Sequence, residues 1–136
     1  MNSIFGTELV FISLNQEFEQ LRKQFLENYK KACPIMTVLG DEVRQEIFLI
    51  LIQTGGRGGI RVGDIQKMGH ISRSAVSHHL KIMLDAGIIS RRREGTKNYY
   101  YIDFKSTTVK PVIEFWQQAE PMLMLCNKIS KERMEQ

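Results

Sequence analysis

The segment Ile71 to Gly87, ISRSAVSHHLKIMLDAG, carries the side chains with the most pointed chemistry, and that chemistry is hydrogen bonding to a polyanion. Wound as a helix, it gathers Val76, Leu80, Met83 and Leu84 on one stripe and Arg73, Ser74, Ser77, His78 and Lys81 on the other. The outer set is short, rich in donors and free of carboxylates. Such a face bonds to base edges and phosphates in a major groove wide enough to admit a helix. Arg73, Ser74, Ser77 and His78 are therefore assigned to base reading. Ser72 can cap the helix start with its hydroxyl, and Gly87 can end it in a left-handed conformation.

Competing chemistries find less support in the residues. No Ser/His/acid or Cys/His set can be placed in a pocket, and adjacency in a helix does not make Ser77 and His78 a nucleophile and base. His78 and His79 point in different directions, whereas a zinc pair wants a spacing such as i, i+4. His79 follows Val76 by one helical turn, so it is expected to pack against the domain. The loop Thr54 to Gly59 has four glycines, but no Gly-Lys-Ser/Thr follows, so a connector is expected in place of a phosphate loop. No catalytic residue, metal site or cofactor is expected.

These side chains need elements to position them. Ile88 to Arg93 and Lys97 to Ile102 read as two strands around the turn Glu94-Gly95-Thr96, with cations at the tip. Ser72, Lys81, Arg91, Arg92, Arg93 and Lys97 are assigned to the phosphate backbone and the wing. Tyr99, Tyr100 and Tyr101 are expected to pack the hairpin onto its helices. Ile60 to Met68, broken at Gly69-His70-Ile71, gives the first helix and turn of a helix-turn-helix. Asp41 to Gln53 is a helix with Val43, Ile47 and Leu51 turned inward.

Two further helices flank this core. Asn15 to Lys31 aligns Leu14, Phe18, Leu21, Phe25 and Tyr29, with Pro34 just past its end. Thr108 can cap a last helix running to 131, in which Val112, Phe115, Trp116, Ala119, Met122, Leu123, Cys126 and Ile129 recur at threes and fours and Pro121 introduces a kink. Both stripes are larger than a three-helix core can cover, so a second copy is expected to bury Phe18, Leu21, Phe25, Val112, Trp116, Ala119 and Leu123. Met1 to Leu14 reads as a docking arm rather than a signal or a span.

From Leu39-Gly40-Asp41-Glu42-Val43-Arg44, through Ser74 to Leu80, to Asp85-Ala86-Gly87-Ile88 and Arg92-Arg93-Glu94-Gly95, the chain resembles the ArsR/SmtB family of bacterial winged-helix repressors. The resemblance covers roughly half of the sequence and implies a homodimer on a partly palindromic operator, released when an inducer binds elsewhere. Family members that sense metal on the first helix of the motif carry Cys-x-Cys where this chain has Arg61-Val62-Gly63. Others use His and carboxylates on the last helix, and here no His follows position 79. Neither donor set is present, because soft metals require thiolate at the first site.

Composition agrees with a basic DNA-binding surface. The 136 residues fit one domain, and the net charge of +4 divides unevenly. From Arg57 to Lys97 nine Lys/Arg face three Asp/Glu, a local +6 that leaves −2 elsewhere. Two distant cysteines, Cys33 and Cys126, suit a reducing cytoplasm and could serve a redox input if dimer packing brought them together. The fold expected is mainly α with a small β-hairpin, one winged-helix domain over 1–136: a core at 39–103 and terminal dimerisation helices at 14–31 and 108–131. The function expected is a cytoplasmic, sequence-specific regulator of a duplex-DNA operator, a homodimer away from membranes, answering to a small molecule or a redox change. A winged-helix protein-interaction module would share the hairpin and apolar helices but leave the wing arginines unexplained.

Overall fold

The computed structural model describes residues 3–55 and 58–136, apart from the side chains of Ser3, Ile4, Phe5, Thr7, Phe11 and Ser106. The elements are α1 (Ser3–Leu39), α2 (Glu42–Gln53), α3 (Val62–Gly69), α4 (Arg73–Asp85), β1 (Ile89–Glu94), β2 (Lys97–Ile102) and α5 (Ser106–Met134). The architecture is a winged helix-turn-helix: mainly α, with a two-stranded antiparallel hairpin. By its contacts the chain forms two compact units, Met1–Ala32 with Pro111–Gln136, and Cys33–Lys110.

The Cys33–Lys110 unit is built around Ile47, Ile50 and Leu51 of α2, Ile65 of α3, and Val76, Leu80 and Met83 of α4, all buried. Each boundary near α4 has a chemical cause. α3 stops where His70 turns left-handed (φ 51°) and the Ile71 N–H bonds back to the Gln66 carbonyl at 3.3 Å. Gly69 lets α3 approach α2, since a Cβ there would lie 2.8 Å from Ile71 Cδ1 and 3.2 Å from Ile50 Cδ1. Ser72 Oγ accepts the Ala75 N–H at 3.3 Å and opens α4. At the far end Gly87 takes φ 74°, its N–H bonding to the Leu84 carbonyl and that of Ile88 to the Met83 carbonyl. That pair of reverse bonds is the Schellman closure.

β1 and β2 pair from Ile89 with Ile102 to Glu94 with Lys97, and the two-residue turn Gly95-Thr96 needs the positive φ of Gly95 (60°). Ile60 adds a short third edge: its N–H and carbonyl both bond to Tyr100, at 3.0 and 2.8 Å. Gly59 is required for this approach, because a Cβ would sit 2.8 Å from the Tyr100 carbonyl oxygen. The glycine loop expected as a mere connector thus ends by locking onto the wing. Gly56 and Arg57 of that loop lie outside the described residues. Tyr100 is buried and packs the hairpin as expected.

In the other unit Phe25 and Tyr29 of α1 meet Phe115 of α5, with ring centroids 5.1 and 5.5 Å apart. Asn28 Nδ2 donates to Gln118 Oε1 at 2.9 Å. Phe115, Ala119, Met122, Leu125 and Ile129 are buried along α5, while Trp116 and Leu123 are each 62% exposed. The apolar pattern of α5 therefore splits, one edge packed inside the chain and one open.

Three expectations about the long helices need correction. α1 does not stop before Pro34 but continues through it to Leu39, so Cys33 lies inside the helix. Pro34 forfeits the bond to the carbonyl four residues back, and Ala32 and Ile35 on either side are buried. Residues 3–14, expected as an arm, are the first turns of the same helix, with Leu9, Val10 and Ile12 exposed; Met1 and Asn2 lie outside the described residues. α5 begins at Ser106, so Thr108 lies inside the helix and not at its cap, and Pro121 does not interrupt it.

Candidate nucleic-acid interface

Burial sorts the α4 side chains as their spacing requires. Arg73, Ser74, Ser77, His78 and Lys81 are all exposed, whereas Val76, Leu80 and Met83 are sealed in the core. The outer face carries donors and a net positive charge, and both helix ends are fixed by caps. Ser72 caps the helix and lies, exposed, 3.4 Å from Ser74 Oγ.

Arg73 does not stand alone. It lines an open cleft of about 380 Å³ with Arg61, Val62, Gly63, Asp64 and Lys67 from the start of α3 and Thr96 and Asn98 from the wing tip. Three cations from two helices thus share one depression with the wing tip. Arg61 and Lys67 were not singled out from sequence. The signal was present, since Lys67 follows Asp64 by one helical turn from a start at Val62, but only the fold brings that turn beside Arg73.

The three wing arginines differ in what they touch. Arg91 is exposed, as is Lys97. Arg92 donates through Nη2 to the Gly58 carbonyl at 3.0 Å, pairs with Glu94, and lays its guanidinium 4.9 Å from the Tyr99 ring centroid. Arg93 donates from Nε to the Gly95 carbonyl at 2.8 Å and braces the turn. Register explains the divergence: Arg92 stands across from Tyr99 on one face of the hairpin, Arg91 and Arg93 across from Tyr100 and Asn98 on the other. Ser90 Oγ donates to Asp103 Oδ2 at 2.6 Å and closes the hairpin base.

Of the residues assigned to a dimer seam, Phe18, Leu21, Phe25 and Val112 are half-buried and Ala119 is buried within its unit. Trp116 and Leu123 remain open, joined by exposed Ile113 and Met124 on α5. Cys33 and Cys126 are free, half-buried thiols, and they fall in different units. Arg61 is exposed and Gly63 half-buried at the start of α3, and neither can supply thiolate. No helix among the described residues is long and apolar enough to cross a membrane.

Comparison with known proteins gives a consistent result. Residues 41–91 match the model of the bacterial regulatory proteins of the arsR family. An HTH-type transcriptional regulator of Methanocaldococcus jannaschii is 38% identical over 77 residues, which are 57% of this chain and 83% of that protein. The arsenical resistance operon repressor of Bacillus subtilis is 33% identical over 82 residues, 60% of this chain and 72% of the repressor. In fold, the crystal structure of the transcriptional repressor BigR from Xylella fastidiosa superposes with a TM-score of 0.55 at 17% identity, covering 68% of this chain and 87% of that one.

Proposed function

The chain belongs to the arsR family of bacterial regulatory proteins and is a DNA-binding transcriptional regulator, and from that premise we propose that it is a homodimeric repressor that reads an operator with α4. The observation that carries this reading is the α4 surface: five exposed donors over a buried apolar stripe, with both helix ends capped. Arg73, Ser74, Ser77 and His78 read bases. Lys81, Arg91 and Lys97 hold phosphates, joined by Arg61 and Lys67 in the cleft beside Arg73, while Arg92 and Arg93 keep the wing in shape. Repression follows the named activity of the Bacillus subtilis relative.

The open edge of α5 supports the dimer. Ile113, Trp116, Leu123 and Met124 expose apolar surface that a second copy would cover, as patches of this kind mark interfaces. A two-fold dimer places two recognition helices in successive major grooves, about 34 Å apart. The protein works in the cytoplasm, where its operator lies.

The inducer is a small molecule or a redox change, since the cysteine pair of the family's metal site is replaced by Arg61 and Gly63. A redox input at Cys33 and Cys126 requires that mild oxidation alter operator affinity in the wild type and not in Cys33→Ser. Selection of duplexes from random DNA tests the proposal as a whole. A partly palindromic consensus with half-sites one helical turn apart is the expected result, and failure to enrich any sequence would refute it.

A further inference from the structure

Beneath the DNA-facing side of α4 lies a polar cluster that base reading does not use. Arg44 of α2 donates from Nε to the Val38 carbonyl oxygen at the end of α1, at 2.5 Å, and its Nη1 stands 3.2 Å from Nδ1 of His79 on α4. Asp41, the cap of α2, accepts the Arg44 backbone N–H at 3.0 Å, and the same Oδ1 lies 3.9 Å from His79 Nδ1. The His79 side chain is only 15% exposed. Its ring leans edge-on against His78, centroids 5.3 Å apart, and His78 is on the outer face.

A guanidinium has donors and no acceptor. In the contact with Arg44, Nδ1 of His79 is therefore the acceptor. One arginine in this way ties three helices at one point: the last turn of α1, the first turn of α2 and the middle of the reading helix. We propose that Arg44 is a positioning residue that sets α4 through His79, and that a proton on His79 releases it. This rests on the reading of α4 as the DNA-contacting helix.

Protonation at Nδ1 turns the acceptor into a donor and leaves two cations at hydrogen-bond distance. The groups shown against the ring are Asp41 and Arg44 from α2 and His78 from α4 itself. Of these only Asp41 attracts an imidazolium. Its carboxyl is held below the usual range, first by the Arg44 backbone N–H, so it is ionised throughout the range in which a histidine gains its proton. Turning toward Asp41 Oδ1 breaks the Arg44 contact and competes for the oxygen that caps α2. Either way the α2–α4 contact is rebuilt and the adjoining His78 moves on the reading face. Mild acidification thus lowers operator affinity from inside the fold.

His78 is a second histidine on the outer face beside His79, so the test is run in a His78→Asn background. Fluorescence anisotropy on a selected, labelled duplex compares H78N with the H78N/H79N double variant at pH 7.5 and 5.5, at fixed salt. Asparagine at 79 keeps an acceptor near the Nδ1 position and cannot take the proton. H78N should lose affinity by roughly tenfold on acidification, the scale of an ordinary coupling between two sites, and the double variant should not. Arg44→Lys, which keeps the charge but cannot bridge, should bind more weakly at pH 7.5 and lose the pH response. In the free H78N protein, backbone amide spectra should show α2 and α4 titrating with one shared midpoint that His79→Asn removes. Equal pH profiles for H78N and the double variant, or no shared midpoint, would overturn the proposal. If no duplex is bound at any pH, the reading of α4 fails, and the free-protein spectra still decide whether Arg44 and His79 form the latch.

Discussion

Arg73 and Arg92 have the same chemistry and different surroundings. Arg73 is exposed at the first turn of α4 in a cleft shared with Arg61 and Lys67, so Arg73→Ala should cost about 1 to 3 kcal/mol of operator binding and relax preference at one or two base positions. Titration of single-base operator variants checks this. Arg91→Ala should weaken all duplexes alike and flatten the salt slope by about one charge. Arg92→Ala should flatten it less and lower the melting temperature more, because Arg92 is held by Gly58, Glu94 and Tyr99. Equal salt slopes for Arg91→Ala and Arg92→Ala would remove the distinction. The residue types on the reading helix were legible in the sequence, since a helical period sorts donors from core. Which arginine is tied down was not, because Arg92 answers to a carbonyl 34 positions earlier in the chain.

Among the elements, α4 was legible at both ends because its boundaries are set by local chemistry. Ser72→Ala should cost about 1 kcal/mol of stability in denaturant titration. Gly87→Ala should cost more than about 1 kcal/mol, since φ is 74° there and the new Cβ would lie 3.0 Å from Thr108 Oγ1. A variant as stable as the wild type would show that the closure of α4 is not strained by a side chain. Asp41 caps α2 in the same local manner, and its pH dependence has a definite sign. A carboxyl whose pKa is lowered by folding stabilises fully above its unfolded value and loses that contribution as pH falls through the folded value. Urea midpoints of wild type and Asp41→Asn should therefore differ most near neutrality and converge in acid. The long helices were less legible, because proline signals a break locally, whereas α1 and α5 continue through Pro34 and Pro121. The lock of Gly59 and Ile60 onto Tyr100 was also hidden, as a glycine run alone does not say what approaches it.

At the scale of the molecule, the proposed dimer depends on the edge of α5 that the chain leaves open. Trp116 and Leu123 are seven residues apart on that edge, so Leu123→Glu should place an unpaired charge in the seam and dissociate the dimer. Sedimentation checks the mass, and an intact dimer would place the seam elsewhere. The sequence showed that α5 had apolar surface to spare but not how it would be divided, because Phe115 and Gln118 are claimed by contacts with Phe25 and Asn28, some ninety positions away. The central claim is that α4 carries sequence preference, and its most direct test is a comparison of wild type and Arg73→Ala on a selected operator and a scrambled duplex across a salt series. The account predicts that both proteins show similar salt-dependent affinity for the scrambled duplex while the preference for the operator collapses in the variant. An Arg73→Ala protein that keeps wild-type affinity and wild-type preference would contradict it.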